Sequence, residues 1–519
     1  MFALLVISLL SGLLVPVYTD EVAWRFQLSR YFQDAGIDYA TGETCGANTA
    51  ARPALFMLPV RMFSSTLTAI FDDPMWVRLA GVGFAILALF GVRAIVRRAA
   101  PGRSAPIEMI AWSLLGLGVL PYLLVWSRPE QPVLLALLGA MLLALQPREH
   151  RDREARWPAI LIVMLFAIAL SYHLKALFYL PAFIVALGLT GVGAREWRTR
   201  GIAVAAMLVL AAVASSYWSA RFSCPDDPLI AAKIRGENAS TLITSGDWQT
   251  LWNAVPQLMR NALPELYIRS ALPAPGYMSS WLPGAGLPFG RLATWHTAGW
   301  AAWMVGIAIG VTALVLAITE TARRWPPLVL SLTLVICATG GATLQLNKNS
   351  YESAIYLPVI TLAVVLALAA APDRRWLSGL GWGLAAISVA SQLVLIGHYA
   401  PRLWEAEKQG GYLGGQAYSL NAWHYPRADI VAAGAKCGIA PGAERVLIDD
   451  MTYFTFSHGR APMHRLGVLS DWNGSLSDPM AWMRDRGSPG AVLACDYMPL
   501  EMRSRAIATG KICCVRAPQ

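Results

Sequence analysis

The chain is short of charge. Asp, Glu, Lys and Arg make up 14% of its 519 residues, where a soluble domain carries about a quarter. It also lacks any tract of consecutive Lys and Arg. The formal charge of +10 is therefore not arranged to track the phosphates of a nucleic acid, and no nucleic-acid partner is expected. No fixed-period repeat and no low-complexity tract is present, which excludes solenoids and compositional linkers. The N-terminus lacks a basic leader region, and no small-x-small site precedes the first carboxylates. Met1 to Tyr18 therefore reads as a retained first helix rather than a cleaved signal peptide. None of the seven Cys forms a CxxC pair, so the usual zinc spacings are absent.

What remains is apolar: 56% hydrophobic residues, a mean hydropathy of +0.47, 20 Trp and 17 Tyr. That composition predicts a polytopic α-helical membrane protein with interfacial aromatic anchors, and its surroundings as membrane lipids. Hydropathy gives about eleven transmembrane helices, over residues 2–18, 77–96, 107–126, 132–146, 158–171, 175–193, 201–219, 296–319, 326–345, 354–371 and 377–399. The fifth is short and is expected to form a tight hairpin with the sixth around His173-Leu174-Lys175.

Arginine sets the orientation. With the N-terminus in the cytoplasm, the even-numbered spans end on short loops bearing Arg93, Arg97, Arg98 and Arg103, then Arg148, Arg151, Arg153 and Arg156, then Arg195, Arg198 and Arg200. Arg323-Arg324 and Arg374-Arg375 complete the set. The long segments then all lie outside: loop 19–75, loop 220–295, and the tail. The expected organisation is a membrane module over 1–400 and a small C-terminal α/β extracytoplasmic domain over 401–519, in a multi-pass protein of a cell's inner (plasma) membrane. The Ala- and Arg-rich composition points to a bacterial one, and a eukaryotic endoplasmic reticulum also fits. In the tail, Ala428 to Lys436 reads as helix. Arg445 to Ile448 and Gly490 to Ala494 read as buried strands, with a last strand from Lys511 through Arg516. Six Cys (Cys45, Cys224, Cys437, Cys495, Cys513, Cys514) fall outside. An oxidising compartment permits disulfides among them in any of fifteen pairings, and free buried thiols fit the sequence equally well.

The polar residues that stand out sit at the outer ends of spans. Asp20-Glu21 heads the first outside loop, followed by Trp24, Arg25 and Arg30. Arg128-Pro129-Glu130 occupies the turn between spans 3 and 4, and His173 and Lys175 lie between spans 5 and 6. Lys348, Tyr351 and Glu352 lie between spans 9 and 10. Taken singly, each is an ordinary capping or snorkelling residue. Gathered on one side of the membrane, they would line a cavity with cations for a lipid phosphate and carboxylates for a hydroxyl. Asp72-Asp73 ahead of Pro74 reads as a helix start, and no metal site is expected.

The ordered segments resemble the GT-C glycosyltransferases, in particular the branch of protein O-mannosyltransferases and lipid A aminoarabinose transferases. Thr19-Asp20-Glu21-Val22-Ala23-Trp24-Arg25 is similar to the Asp-Glu start of their first outside loop. Ala51-Arg52-Pro53-Ala54-Leu55-Phe56 resembles their Pro-Pro-Leu segment, with Arg52 in place of the first Pro. Asp73-Pro74-Met75-Trp76-Val77-Arg78-Leu79 resembles the amphipathic lead into span 2, and Arg128-Pro129-Glu130 the Arg-Pro-acid turn. Lys175 through Pro181 is similar to the Lys-Gly…Leu-Pro segment, with Ala176 for Gly. Lys348 with Tyr356-Leu357-Pro358 resembles the approach to a late span. The resemblance covers roughly residues 1 to 400; the tail matches nothing in it.

The resemblance implies an inverting transfer of sugar from a polyprenyl-phosphate-linked donor to a lipid, glycan or protein acceptor at the outer face. Asp20 would be the general base and Glu21 its support. Lys175, Lys348 and Arg128 would hold the donor phosphate, with His173, Glu130, Tyr351 and Glu352 as further substrate-binding candidates. No cofactor and no divalent metal is implied. Two other classes are open: a transporter or flippase of a lipid-linked saccharide, and a non-catalytic envelope assembly protein. A transporter places ionisable or helix-breaking features near the midplane of the bilayer. In this sequence the polar set gathers at one edge, which favours the enzyme.

Overall fold

A bilayer offers no water to backbone N–H and C=O groups, so apolar segments must satisfy them internally as helices. The computed structural model describes residues 1–15, 17, 21–22, 54–71, 73–146, 156–190, 197–222, 239, 242–243, 246–262, 289–319, 325–344, 356–373, 375–408, 417–420, 423–449, 451–456, 463–465, 478–485 and 487–518. Helix α1 (Phe2–Ser11) continues as a 3-10 turn, Gly12–Leu14. It is followed by α2 (Leu58–Ile70), α3 (Pro74–Ala99), α4 (Ser104–Leu115), α5 (Leu120–Leu124), α6 (Glu130–Ala144) and α7 (Arg156–Tyr172). A 3-10 segment, Leu174–Tyr179, leads into α8 (Leu180–Leu189). Then come α9 (Trp197–Phe222), α10 (Trp248–Ala262), α11 (Phe289–Thr319), α12 (Trp325–Leu344), α13 (Leu357–Ala370), α14 (Arg375–Val394) and α15 (Ala400–Lys408).

Among the described residues, five helices are long and apolar enough to cross a bilayer: Pro74–Ala99, Trp197–Ser219, Ala301–Thr319, Trp325–Leu344 and Gly379–Glu405. Six shorter apolar helices fall in the remaining predicted spans: Phe2–Leu14, Ser104–Leu115, Glu130–Ala144, Trp157–Tyr172, Leu174–Leu189 and Leu357–Ala370. The chain is a multi-pass membrane protein.

Two of the short ones differ from the sequence expectation for a visible reason. The third predicted span is broken at Gly116–Val119, where Gly118 takes a positive φ of 57°. The Gly118 N–H freed by the break donates to Ser391 Oγ of α14 at 2.7 Å. The sixth begins as a 3-10 helix, and its α-helical part starts at Leu180 with Pro181 in the first turn, a position where the missing N–H costs nothing.

Arginines tie helix ends together. Arg98 Nη1 donates to Leu142 O near the end of α6, at 2.6 Å. Arg103 Nη2 donates to Ala369 O and Ala371 O at the end of α13, at 3.1 and 3.0 Å. These are the carbonyls that a helix C-terminus leaves without intrahelical partners. The C-termini of α3, α6 and α13 thus share one Arg-bearing end, and their N-termini share the other. At that opposite end α3 presses on the turn before α6. A Cβ on Gly81 would lie 1.8 Å from Val125 O, so only glycine allows the approach.

In the tail, β1 (Ala417–Leu420) and β2 (Trp423–Pro426) pair antiparallel. Helix α16 (Arg427–Lys436) precedes β3 (Val446–Ile448), β4 (Met463–Arg465), β5 (Gly490–Ala494), β6 (Ile507–Thr509) and β7 (Ile512–Arg516). These form one sheet in the order β4-β3-β5-β7-β6, parallel among β4, β3 and β5 and antiparallel at β7 and β6. Just past β3, Asp449 Oδ1 accepts from the N–H groups of Met451 and Thr452, and Oδ2 from Ala494 N at 2.7 Å. Burial pushes its carboxyl up, and these donors act against that rise.

Adjacent residues on a strand point to opposite faces. Cys514 therefore bonds Cys437 at the end of α16, while Cys513 bonds Cys495 on the other side of the sheet. Val17, Val22 and Val77 of the membrane part share a buried apolar cluster with Tyr425, Ile430, Met451, Tyr453 and Phe454 of the tail. The tail is thus seated at the end of the bundle opposite the arginine ties.

Peptide mapping under non-reducing conditions should recover Cys437 with Cys514 and Cys495 with Cys513. The loops they close span 77 and 18 residues, worth about 4–5 and about 3 kcal/mol in the chain-entropy model. Reduction should therefore make the tail the first part of the protein to yield to protease. Recovery of the swapped pairing would refute the two-faced arrangement.

Candidate functional site

The site is built where α1, α3, the α5–α6 turn and the α7–α8 hairpin meet. Helix α2 forms one wall, and its polarity is reversed relative to a soluble protein. Arg61, Ser64, Ser65 and Thr68 recur at helical spacing; the first three are buried, with Arg61 fully so. Its outward residues are Met62, Phe63 (62% exposed), Leu67 and Ile70 (65% exposed). Thr66 is the polar residue on the outward face, its hydroxyl bonded back to Met62 O at 2.9 Å. A helix that hides its guanidinium and serines and presents mainly apolar side chains outward is arranged for lipid outside and a polar cavity inside.

Arg78, one turn into α3, is also fully buried. Its Nη1 donates to Glu21 Oε1 at 2.9 Å, and Nη2 donates to Glu21 Oε2, completing a two-pronged ion pair. Nε donates to Val15 O at 2.8 Å and Nη1 also to Val125 O at 3.2 Å. Ser127 N donates to Glu21 Oε1 at 2.7 Å. One guanidinium and one carboxylate thus tie the end of the first helix and the α5–α6 turn onto α3. Asp73 starts that helix, its side chain accepting from Met75 N at 2.9 Å ahead of Pro74.

Glu130 is the second hub. It sits in the first turn of α6, where a carboxylate complements the helix dipole. Lys175 Nζ donates to its Oε1 at 2.9 Å. Arg128 reaches it with Nε at 3.2 Å and Nη2 at 3.3 Å. His173 Nδ1 accepts from Lys175 N at 2.9 Å, which makes it the cap that starts the 3-10 segment and fixes Nδ1 as the unprotonated nitrogen. The His173 ring stacks on Trp218 at 6.3 Å, and Arg61 lies over the same indole at 5.7 Å. Arg61, Arg128, Lys175 and Glu130 are the charged neighbours of His173. Tyr179 and Tyr356 close the inner side of the Glu130–Lys175 pair.

Beside this cluster lies a cavity of about 380 Å³. Glu21, Ser64, Thr68, Ser127, Arg128 and Tyr172 supply its polar groups; Leu67, Phe71, Trp76, Leu79 and Phe84 supply the apolar wall. Ser64 Oγ and Tyr172 OH are 3.3 Å apart. The apolar wall continues onto the outward surface, where Leu67, Phe71, Trp76 and Leu79 are each more than a third exposed.

Of the residues singled out in the sequence, Glu21, Arg128, Glu130, His173 and Lys175 come together here. Asp20, Lys348, Tyr351 and Glu352 lie outside the described residues, as does Asp72. Sequence reasoning missed Arg61, Arg78 and Tyr172 as members. Both arginines had a signal: Arg78 is an ionisable residue inside an apolar span, and Arg61 begins a polar stripe of period 3.6 in an otherwise apolar segment. Among the described residues, no group of His, Cys, Asp and Glu is arranged to hold a metal ion.

Fold and site together define a multi-pass membrane protein with a polar cavity at one end of its bundle, beside a cluster of Arg61, Arg128 and Lys175. No family model matches the chain, and no curated protein matches it. Among solved structures it is similar to ArnT from Cupriavidus metallidurans, both bound to undecaprenyl phosphate and in the apo state. Each is 13% identical, covers 100% of this chain and 98% of that one, and has a TM-score of 0.47. It is also similar to the archaeal oligosaccharyltransferase AglB from Archaeoglobus fulgidus, in complex with an inhibitory peptide and a dolichol-phosphate. There the identity is 11%, the coverage 95% of this chain and 69% of that one, and the TM-score 0.44.

Breaking a buried ion pair from one side leaves the other charge stranded, at about 3–5 kcal/mol. Arg78→Met and Glu21→Gln should each lower the thermal stability of the purified protein by an amount of that order. Arg78→Met combined with Glu21→Leu should recover a large part of the loss. Additive losses in the double variant would show that the pair is not the unit it is described as.

Proposed function

We propose that this protein is an integral-membrane glycosyltransferase that moves a sugar from a polyprenyl-phosphate donor to an acceptor hydroxyl at the extracytoplasmic face, with inversion. The observation that carries the reading is the grouping of Arg61, Arg128 and Lys175 around Glu130 and His173, beside a cavity whose apolar wall opens outward between α2 and α3. A phosphate on an isoprenoid chain needs both: cations at the head and a lipid-facing slot for the tail.

In this reading Asp20 takes the proton of the acceptor hydroxyl. The acceptor oxygen attacks the anomeric carbon from the face opposite the phosphate. The bond from that carbon to the phosphate oxygen breaks, and polyprenyl phosphate leaves carrying the electron pair. Arg128 and Lys175, with Lys348 as a further candidate, stabilise the charge that develops on the leaving oxygen. The sugar passes through an oxocarbenium-like state, which nearby carboxylates favour. Glu21 serves as a positioning residue, because its own oxygens are engaged by Arg78 and Ser127. It fixes the backbone next to Asp20. His173 acts through the backbone of Lys175, which it caps.

The same reading puts the site and the tail outside and the arginine ties inside, in a plasma membrane with a cytoplasmic N-terminus. Two disulfides in the tail support an oxidising compartment. The acceptor is a lipid, glycan or protein hydroxyl.

A transporter reading has one observation in its favour. The break between α4 and α5 faces a π turn, Leu395–Tyr399, and polar Ser388, Ser391 and Gln392 of α14, and discontinuous helices mark many transport sites. Ser388, Ser391 and Gln392 carry no charge and the π turn adds a single imidazole, His398, whereas the arginines, lysine and carboxylates of the site gather at one end of the bundle.

Membranes containing the protein, given labelled polyprenyl-phosphate sugars and a cell-envelope extract, should transfer label. Asp20→Asn should lower transfer by about 10²–10⁴-fold, the usual worth of a general base. Lys175→Gln and Arg128→Gln should each cost about 10²–10³-fold in turnover, as for lost electrostatic donors. Transfer that survives all three changes would remove the proposed machinery. Translocation of the lipid-linked sugar without transfer would establish the flippase instead.

A further inference from the structure

We infer that α10 lies in the surface of the bilayer on the site side, with Trp248, Trp252 and Met259 inserted among the lipids. The helix starts at Asp247, whose Oδ1 accepts from Thr250 N at 3.1 Å. Its residues then sort by angle. Gln249, Thr250, Asn253 and Gln257 fall on one side of the helix and the apolar residues on the other. The apolar side is itself divided into two strips. Leu251, Ala254 and Leu258 pack against Ala239, Leu242 and Leu344. Trp248 (64% exposed), Trp252 (76% exposed) and Met259 (65% exposed) stand clear of the protein along the neighbouring strip.

Position says what covers that strip. Leu344 is the last residue of α12, one of the helices long enough to cross the membrane. Helix α13, which follows it in the chain, begins at the end of the bundle where Glu130 and Lys175 lie. The packed strip of α10 is therefore fixed to the mouth of a membrane span, at the level where the hydrocarbon gives way to headgroups. The exposed strip lies beside the packed one on the same helix, at that level. Two Trp and a Met at that level match an interfacial helix, whose apolar face sinks about 5–10 Å into the boundary of headgroup and acyl chain. The helix would hold the segment around it against the outer leaflet, at the height at which a membrane-bound substrate presents its head.

The test uses the full-length protein reconstituted in vesicles of phosphatidylethanolamine and phosphatidylglycerol. A photo-crosslinking amino acid replaces Trp252 or Met259 in the exposed strip, or Asn253 or Gln257 on the polar side. The crosslinked products are read by mass spectrometry. Phospholipid adducts should form several-fold more at 252 and 259 than at 253 and 257. Adducts at 252 and 259 to peptides of the same chain would overturn the inference in favour of a cover over the site. Equal lipid labelling on both sides, or none at any position, would overturn it as well. Vesicles made with brominated phospholipid provide a second reading that needs no crosslinker. The bromine-quenched share of the tryptophan emission should fall in Trp248→Phe with Trp252→Phe, because the two indoles that lie among the lipids are lost. An unchanged share would count against insertion. Neither measurement depends on catalytic activity, so the inference stands or falls apart from the proposed transfer reaction.

Discussion

The ion pair between Arg78 and Glu21 is the constraint on which the site depends. Taking two charges out of water is costly, and the cost is offset only where geometry is good and every remaining donor is used. Here the fork of the guanidinium meets both carboxylate oxygens, and its other N–H groups reach Val15 O and Val125 O. A lysine could supply the charge but not that set of directions. The pair converts three segments distant in sequence into one fixed corner: the end of α1, the start of α3 and the turn that carries Arg128. Val77 and Val22, next to its two members, pass the same constraint on to the tail through their shared apolar cluster.

Glu130 does for the cations what Arg78 does for the backbone. Lys175 and Arg128 are long, flexible side chains that would otherwise sample many rotamers. Bonded to one buried carboxylate, they hold a fixed geometry before any ligand arrives. Charge held in place and out of water stabilises a developing anion without reorganisation at the moment of reaction. The carboxylate also keeps the empty site from being an uncompensated concentration of positive charge. In the proposed reaction, an arriving phosphate would meet donors already aimed by their bonds to Glu130, and its negative charge would add to a cluster that the carboxylate alone balances only in part.

Much of this was legible in the sequence, and the reasons for what was not are physical. Hydropathy located the apolar helices because exclusion of water from the bilayer leaves the backbone one solution. It misjudged their internal form. Gly116 and Gly118 interrupt an apolar run that scores as continuous, because Ser391, far along the chain, satisfies the freed amide. Arg128, Glu130, His173 and Lys175 were found together because each sits at the same end of the apolar helices. The roles of Glu21 and His173 were less visible. Their partners, Arg78 and the backbone of Lys175, are set by three-dimensional packing and by a local cap. In the tail, helix and strands stand at Arg427–Lys436, Val446–Ile448 and Gly490–Ala494, where β-branched and small apolar runs had put them. The disulfide pairing was beyond sequence reasoning, since it depends on which face of β7 each cysteine takes.

Helices α2 and α10 show how the solvent decides what amphipathic means. Both have a polar side and an apolar side, and the pattern alone does not say which side faces the protein. In α2 Ser64, Ser65 and Arg61 turn inward because there is a polar cavity to receive them, and Phe63 and Ile70 turn out because lipid is there to receive those. In α10 the polar residues lie on the side away from the tryptophans, and the apolar side is shared between the packed strip and the exposed tryptophans. In water, α2 would be wrong side out and α10 would leave two indoles uncovered. A single bilayer boundary running past both removes the two difficulties at once. The same boundary puts the slot between α2 and α3 in contact with lipid, so the isoprenoid-linked donor of the proposed reaction would reach Arg128 without leaving the membrane.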